Sequence, residues 1–297
     1  MMTMTTRITS SMLTATAQRN LAHSQAALAR LQDMGSSGVR LTKPSDDPAA
    51  TASALRVRSE QRATEIYQRN ADDALGWLGT VDTVLGTTGD LLRRARDLTV
   101  QGANDGAQSA ASREAIAVEL DSLRDALLQQ ANTQYLGRSV FSASSLAGHA
   151  FASDYSHSGV AGTSLERRIG TDSAVTVDGD GVAAFGEGAT SVFALLDRIA
   201  TDLRAGTPVA DRLGDLDDRL AAVSTQRSIA GSRYAQVERG KDLLVMSSNE
   251  LESRRSSLED ADLGQVIIDL KLQEVAYQAA LSVTSRALPP TLLEFLS

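Results

Sequence analysis

Among the side chains whose types could do chemistry, those that stand out are the acidic groups at Asp46-Asp47 and Asp178–Asp180, the arginine pairs Arg93-Arg94 and Arg254-Arg255, and the three histidines. Asp46 and Asp47 stand together in Pro44-Ser45-Asp46-Asp47-Pro48, and such a pair could share a proton or grip a cation. A hard cation needs more oxygen ligands than two, and no third lies nearby. Asp47 directly before Pro48 has the form of a helix start instead. Its carboxylate can accept from orphan backbone N–H groups, and proline fits the first turn without losing a needed donor. Pro44, Ser45, Asp46, Asp47 and Pro48 are therefore assigned as a helix-capping motif. Asp178-Gly179-Asp180-Gly181 could open a calcium loop, but no regular oxygen ligands or closing Glu follow over about twelve positions, and a β-turn is expected. Arg93-Arg94 and Arg254-Arg255 could meet phosphates; on helices they read as solvated faces or inter-subunit ion pairs. His23, His149 and His157 are scattered, without metal-ligand spacing.

Composition narrows the chemistry further. There is no cysteine, which removes disulfides, thiolate catalysis and Cys-ligated zinc. No set of titratable side chains converges, so no catalytic, metal or cofactor-binding residue is assigned and an enzyme is not expected. The net charge of −8 disfavours a nucleic-acid partner. Aromatic residues are only 4%, which favours helices packed through small side chains. The early part of the chain shows no apolar segment of signal-peptide type, and nothing approaches the roughly 20 apolar residues a membrane span needs.

The elements that would position these residues follow from periodicity. A first helix is expected over about 10–34, with Leu13, Ala17, Leu21, Ser24, Leu28 and Leu31 at coiled-coil spacing. Gly35-Ser36-Ser37-Gly38 breaks it. A proline-free stretch from Pro48 to about Ala103 would make a helix of roughly 80 Å, with Gly76, Gly79, Gly86 and Gly89 weakening its middle. Asn104-Asp105-Gly106 is a turn. Another helix, about 111–135, carries Ile116, Leu120, Leu123, Leu127 and Ala131, with Gly137 as its expected C-cap.

Residues 138–190 turn to Gly, Ser, Asp and Val. Alternation at Val175 and Val177, with Leu165–Ile169 as another candidate, predicts a small β insert. Helical spacing resumes at Phe193, Leu196, Ile199 and Leu203 and ends at Gly206 and Pro208. A second long helix is expected over 209–257, with a possible break near Gly231. The last helix, about 262–287, is stopped by Pro289-Pro290. It carries two apolar stripes, Ile267, Leu270, Tyr277, Leu281 and Leu288 on one line and Ile268, Leu272, Val275, Ala279 and Val283 on another. A helix apolar on both sides needs more cover than one partner helix provides.

The expected fold is mainly α, a long antiparallel helical bundle or coiled coil from both chain ends with a small β-rich domain inserted mid-chain. Its divisions are 1–45 (terminal helix and loop), 46–137 (first part of the bundle), 138–190 (β insert), 191–258 (second part of the bundle) and 259–297 (terminal helix). Residues 1–43 carry a net charge of +4 and residues 259–297 a net −4, so the two ends attract. Leu13, Leu21, Leu28, Leu31, Ile267, Leu270, Leu272, Tyr277, Leu281 and Leu288 are assigned to an assembly interface.

Several segments carry a family resemblance. Arg7-Ile8-Thr9 and the stretch from Leu28 through Pro48 resemble the N-terminal region of the flagellin-type axial proteins of the bacterial flagellum, as does Arg69-Asn70 with the stripe after it. Gly231-Ser232-Arg233-Tyr234, Leu258 through Leu263, Tyr277 through Leu281 and Leu292 through Leu296 resemble the C-terminal region. Within the family, the Pro44-Ser45-Asp46-Asp47-Pro48 form looks more like the hook-associated protein 3 branch, the hook–filament junction proteins, than like filament flagellins. Val39 before Arg40 departs from the commonest loop, which has Lys after the glycine.

The resemblance implies terminal helices beside the flagellar axis, adjoining helices in a bundle and an outer β domain. It implies a structural role, an adaptor ring at the hook–filament junction that filament assembly and motility require. The location would be the extracellular flagellum, reached through the flagellar type III channel without a cleaved signal peptide. Implied partners are further copies of the chain in a ring, hook-associated protein 1, flagellin and a cytoplasmic export chaperone, with no nucleic acid and no membrane insertion. The alternatives are a filament flagellin of the same fold and a secreted coiled-coil effector.

Overall fold

The computed structural model describes residues 10–104, 109–142, 145, 148–160 and 162–287. Among these, the elements in chain order are α1 (Ser10–Ser37), α2 (Pro48–Ala103), α3 (Ala110–Ala131), β1 (Gln134–Tyr135), β2 (Arg138–Ser139), β3 (Glu166–Arg168), β4 (Ala174–Thr176), α4 (Gly181–Phe185), a 3₁₀ turn (Gly188–Thr190), α5 (Val192–Ala205), α6 (Arg212–Glu259) and α7 (Leu263–Ala287). The fold is mainly α, with long helices from both ends of the chain and a small β insertion in its middle. Two compact units divide inside α2 and α6. One takes the described parts of Met1–Gln61 and Asn249–Ser297, the other Arg62–Ser248.

In the larger unit, α2 and α6 run antiparallel, tied by Arg96–Asp217 (2.6 Å), Arg227–Asp82 (2.8 Å) and Lys241–Asp72 (2.7 Å). These are solvent-facing pairs of small individual value. The stabilising layer lies beneath them, where Trp77, Leu78, Val81, Leu85 and Leu92 of α2 are buried with Leu120 and Leu127 of α3 and Leu196, Ile199 and Leu203 of α5. α3 packs along α5. Serine caps set both helix starts: Ser109 accepts from the Ser112 N–H and Ser191 from the Ala194 N–H. The glycines do not interrupt either long helix, and there is no break near Gly231. α2 runs through Gly76–Gly89 and α6 through Gly231, because burial of one helix face outweighs roughly 1 kcal/mol per glycine.

Among the described residues, the β insert holds two short antiparallel hairpins. β1 pairs with β2 (Gln134 with Ser139, Tyr135 with Arg138), and β3 with β4 (Glu166 with Thr176, Arg168 with Ala174). Gly137 is not a helix C-cap. α3 ends at Ala131 with Asn132 as its cap, and Leu136-Gly137 forms the two-residue loop of the first hairpin, with φ of 49° and 76° as a type I′ turn requires. The Asp178–Gly181 segment is likewise no hairpin turn: Asp180 caps α4 by accepting from the Ala183 N–H. The insert sits on an aromatic cluster. Phe141, Phe151 and Phe185 meet Phe193 of α5 or one another with ring centroids 5.1–5.8 Å apart.

In the smaller unit, α1 packs along α7. The head of α2 and the end of α6 belong to this unit as well. Asp47 accepts from the Ala50 N–H at the start of α2 (2.9 Å), while Asp46 folds back to accept from Lys43 N–H and Thr42 Oγ1 (both 3.0 Å). The neighbouring acids thus serve two turns.

The paired terminal helices as a candidate assembly surface

The α1–α7 pair is a two-helix seam. On α1, Ala17, Leu21, Ser24, Leu28, Leu31 and Met34 are half-buried at spacings of three and four, the repeat that keeps one edge of a helix against a partner. On α7, Val266 is buried and Leu270, Gln273, Tyr277, Ala280 and Thr284 are half-buried at the same repeat. The pair is antiparallel. Val266 packs over Gly35, and Gln273 Nε2 donates to both the carbonyl and the hydroxyl of Ser24 (3.1 and 2.9 Å). A single polar contact in an apolar seam fixes register at some cost in stability. Periodicity alone does not reveal it, because Gln273 reads as an ordinary surface residue.

The loops at the foot of the pair are stitched together. Gly38, with φ of 68°, closes α1 by donating to the Met34 carbonyl. Val39 and Asp260 then form an antiparallel bridge, in which Arg40 N–H donates to Glu259 O (2.7 Å) and Ala261 N–H to Gly38 O (2.8 Å). The Arg40 guanidinium reaches Leu258 O (2.8 Å). Arg58 of α2 and Arg255 of α6 both donate to the carboxylate of Glu259, which is buried among them. Asp262 caps α7 through the N–H groups of Gly264 and Gln265. Arg58 first, then Arg255, holds Glu259 below the usual carboxylate range against the opposing effect of burial. The Arg58 arm of this node has no mark in the sequence, since it lies 201 positions from Glu259, whereas Arg255 is one helical turn away.

The assigned interface residues divide by face. Leu21, Leu28, Leu31, Leu270 and Tyr277 lie in the seam. Ile267, Leu272 and Leu281 are exposed (58%, 65% and 43%), and with them Ile268, Val275 and Val283. The side chain of Leu13, and Leu288 with Pro289-Pro290, fall outside the described residues. The stripe of Ile268, Leu272, Val275, Ala279 and Val283 lies on the side of α7 opposite the seam, as 100° per residue dictates. Contiguous exposed apolar surface of this kind marks interaction sites. Among the described residues no ion pair joins α1 to α7, and Arg30 instead lies 4.0 Å from Asp46.

The other candidate groups are absorbed structurally. Arg94 pairs with Glu119 (2.6 Å), Arg93 with Asp90, Arg254 with Glu250 and Arg255 with Glu252 (2.7 Å). His157 Nε2 lies 3.0 Å from the Phe141 carbonyl. Asp178 accepts from the Leu165 N–H, and burial pushes its carboxyl up. Among the described residues no group of three or more His, Asp or Glu side chains could hold a metal, and no helix is long and apolar enough to cross a membrane.

The first and last described helices thus pair along one apolar seam and leave an apolar stripe exposed on the far side of α7. The chain belongs to the flagellin family of flagellar axial proteins: residues 8–145 match the bacterial flagellin N-terminal helical region and residues 213–296 the bacterial flagellin C-terminal helical region. It is similar to flagellin FlaB2 of Treponema pallidum, at 23% identity across 91% of this chain and 92% of the relative. It is similar to the flagellin of Bacillus subtilis, at 25% across 85% and 86%. In fold it resembles a flagellar hook-associated protein of Vibrio parahaemolyticus (TM-score 0.64, 21% identity, 72% of this chain and 100% of that one). It also resembles FlgL of Bacillus cereus (TM-score 0.59, 20% identity, 68% and 99%). The protein is thus a structural, coiled-coil member of the flagellar axial proteins.

Proposed function

We propose that the chain is an exported subunit of the extracellular flagellar axis that polymerises through its α1–α7 unit. The observation that carries this is the uncovered stripe Ile268–Leu272–Val275–Ala279–Val283, set opposite a seam already filled by α1. Isolated amphipathic helices are marginal in water. Covering the stripe with neighbouring subunits offsets the entropy of ordering the ends. In this reading the divisions at 1–45 and 259–297 are the axial layer, 46–137 and 191–258 the surrounding bundle, and 138–190 the outer insert.

Between subunit types, the filament flagellin has the support of relatives that match over nearly the whole chain, each named as a flagellin or a flagellar filament core protein. A second reading, the adaptor ring between hook and filament, is favoured by Pro44-Ser45-Asp46-Asp47-Pro48. On that reading the partners are hook-associated protein 1 on one side and flagellin on the other, with an export chaperone before secretion. Immunogold labelling of a tagged chain separates the two. Gold along the whole filament supports the flagellin, and a narrow band at the hook end supports the adaptor. Normal motility and filaments after deletion of the gene would overturn both.

A further inference from the structure

A cleft of about 600 Å³ opens in the larger unit, where the β insert meets α6. That volume lies within the range of small-molecule sites. Its polar lining includes Ser142, His157, Thr176, Asp178, Glu187 and Arg233. All six belong to the one compact unit, so the cleft owes nothing to the terminal helices.

The wall is held by its own hydrogen bonds. Asp178 accepts from the Leu165 N–H (3.0 Å), and its carbonyl accepts from the Arg233 guanidinium (3.1 Å). Glu187 accepts from the His157 N–H (3.4 Å), and His157 Nε2 donates to the Phe141 carbonyl (3.0 Å). Two glycines let the rings come this close. A β-carbon at Gly159 would collide with the His157 ring, and one at Gly179 would lie 2.7 Å from that of Phe141. A preformed wall loses little entropy when a ligand arrives.

The fold leaves one group in this wall unused. Ser142 is 4% exposed, and its hydroxyl has no hydrogen-bond partner among the described residues. Buried polar groups are normally paired, so an orphan calls for a reason. A hydroxyl offers one donor and two lone pairs, and rotation about χ1 aims it at an arriving group. Asp178 is half-buried, and burial pushes its carboxyl up. Its charged form too gains from a donor placed against it.

The lining selects the class of ligand. Asp178, Asp180 and Glu187 outnumber Arg233, which disfavours phosphates and carboxylates. Phe141 is buried, and Val160 and Val182 are the exposed apolar side chains, too little for a lipid tail or a stacked base. An ammonium group only donates, so it would leave the remaining N–H groups of Arg233 unmatched. A ligand hydroxyl both donates and accepts. It suits the carboxylates, the guanidinium and the hydroxyls of Ser142 and Thr176 alike.

We propose that this cleft binds a neutral polyhydroxylated ligand, a mono- or disaccharide. Asp178 and Glu187 accept from its hydroxyls, Arg233 donates to them, and Ser142 does either. The site is independent of the α1–α7 unit and of assembly through it.

Saturation-transfer NMR on the full-length chain tests this with glucose, with maltose and with putrescine as a donor-only control. Transfer to a saccharide should appear, with none to putrescine. Ser142→Ala removes a hydroxyl that bonds to nothing in the free chain, so melting should hold or rise while saccharide affinity falls about fivefold, the effect of one lost hydrogen bond. Glu187→Gln, at an exposed position, keeps an acceptor for the His157 N–H and should weaken binding likewise. It carries the test alone if Ser142→Ala does not fold. Three results would each overturn the proposal: no transfer to either saccharide, putrescine binding as well as or better than the saccharides, or saccharide affinity unchanged in the folded variants.

Discussion

The Arg58 guanidinium meets the Glu259 carboxylate at 2.7 Å, joining the head of α2 to the end of α6. The partners are unequal: the arginine side chain is 57% exposed and the glutamate 6%. Water screens one end, so this is a weaker tie than a fully buried pair, but Glu259 also receives Arg255 at 3.1 Å and has its carbonyl bound by Arg40 N–H. Glu259→Gln should destabilise the terminal unit by about 1–2 kcal/mol. Hydrogen exchange should quicken around residues 38–42 and 258–266 and stay unchanged around Trp77, and Glu259→Asp should restore part of the protection.

The same carboxylate sets a pH dependence. Its folded value lies below the unfolded one because of Arg58 and then Arg255. Its contribution is therefore complete above the ordinary glutamate value of about 4.3 and fades as pH falls through the lower folded value. The gap in stability between the natural chain and Glu259→Gln should be constant from pH 8 to about pH 5 and close under stronger acid. Thermal melts across that range would show it. A gap that widened on acidification would reverse the assigned sign.

The two faces of α7 predict separable effects. Leu272→Glu and Val275→Glu replace residues that are each 65% exposed, so the helix content and melting of the monomer should hold within about 0.5 kcal/mol. Assembly followed by light scattering should fail. Tyr277→Ala removes a ring from the seam instead and should loosen α1 from α7 in the monomer itself. Reversing Arg19 and Arg30 together should slow assembly more at low salt than at high salt, since screening weakens attraction between exposed charges.

Periodicity made the helical skeleton legible, because each long helix repeats its contact every seven residues. The α1 seam through Leu21, Leu28 and Leu31 was readable from spacing alone. On α7 spacing found the greasy sides but not which one α1 occupies: Leu270 and Tyr277 go in, while Ile267 and Leu281, from the same expected line, stay out. The choice depends on Val266 lying over Gly35 and on the Gln273–Ser24 lock, contacts between residues far apart in sequence. The hairpin at Gln134–Ser139 was missed for a local reason. Tyr135 completes the apparent helical line after Ala131, and only the positive φ at Leu136 and Gly137 shows that the chain has already turned. At Glu259 the i,i+4 spacing to Arg255 is legible, but the tie to Arg58 is not, because a salt bridge across 201 positions carries no periodic mark.

Glycines in the long helices separate into two kinds, and substitution should tell them apart. A β-carbon at Gly76 would collide with the hydroxyl end of Tyr135, whose ring lies 5.4 Å from that of Trp77. At Gly79 and Gly89 it would meet nothing within 4 Å. Gly79→Ala and Gly89→Ala should each stabilise the larger unit by up to about 1 kcal/mol through helix propensity. Gly76→Ala gains the same propensity but must displace Tyr135, and should come out destabilising. Denaturant unfolding followed by the fluorescence of Trp77, the chain's one tryptophan, would report all three.

The loop at Leu136 gives a local test of the first hairpin. Leu136 has φ of 49° and is 77% exposed, so it bears the strain of the left-handed region and gains little from burial. Asparagine tolerates that region, and Asn-Gly is the preferred pair for a two-residue hairpin loop. Leu136→Asn should therefore stabilise the larger unit by a few tenths to about 1 kcal/mol, although it replaces a large apolar residue with a polar one. Gly137→Ala puts a β-carbon on the neighbouring left-handed residue and should cost about 1 kcal/mol or more. Opposite signs for two adjacent substitutions, read as shifts of the denaturation midpoint, are what the turn geometry requires. Equal signs would mean that Leu136 and Gly137 do not form the loop of a type I′ hairpin.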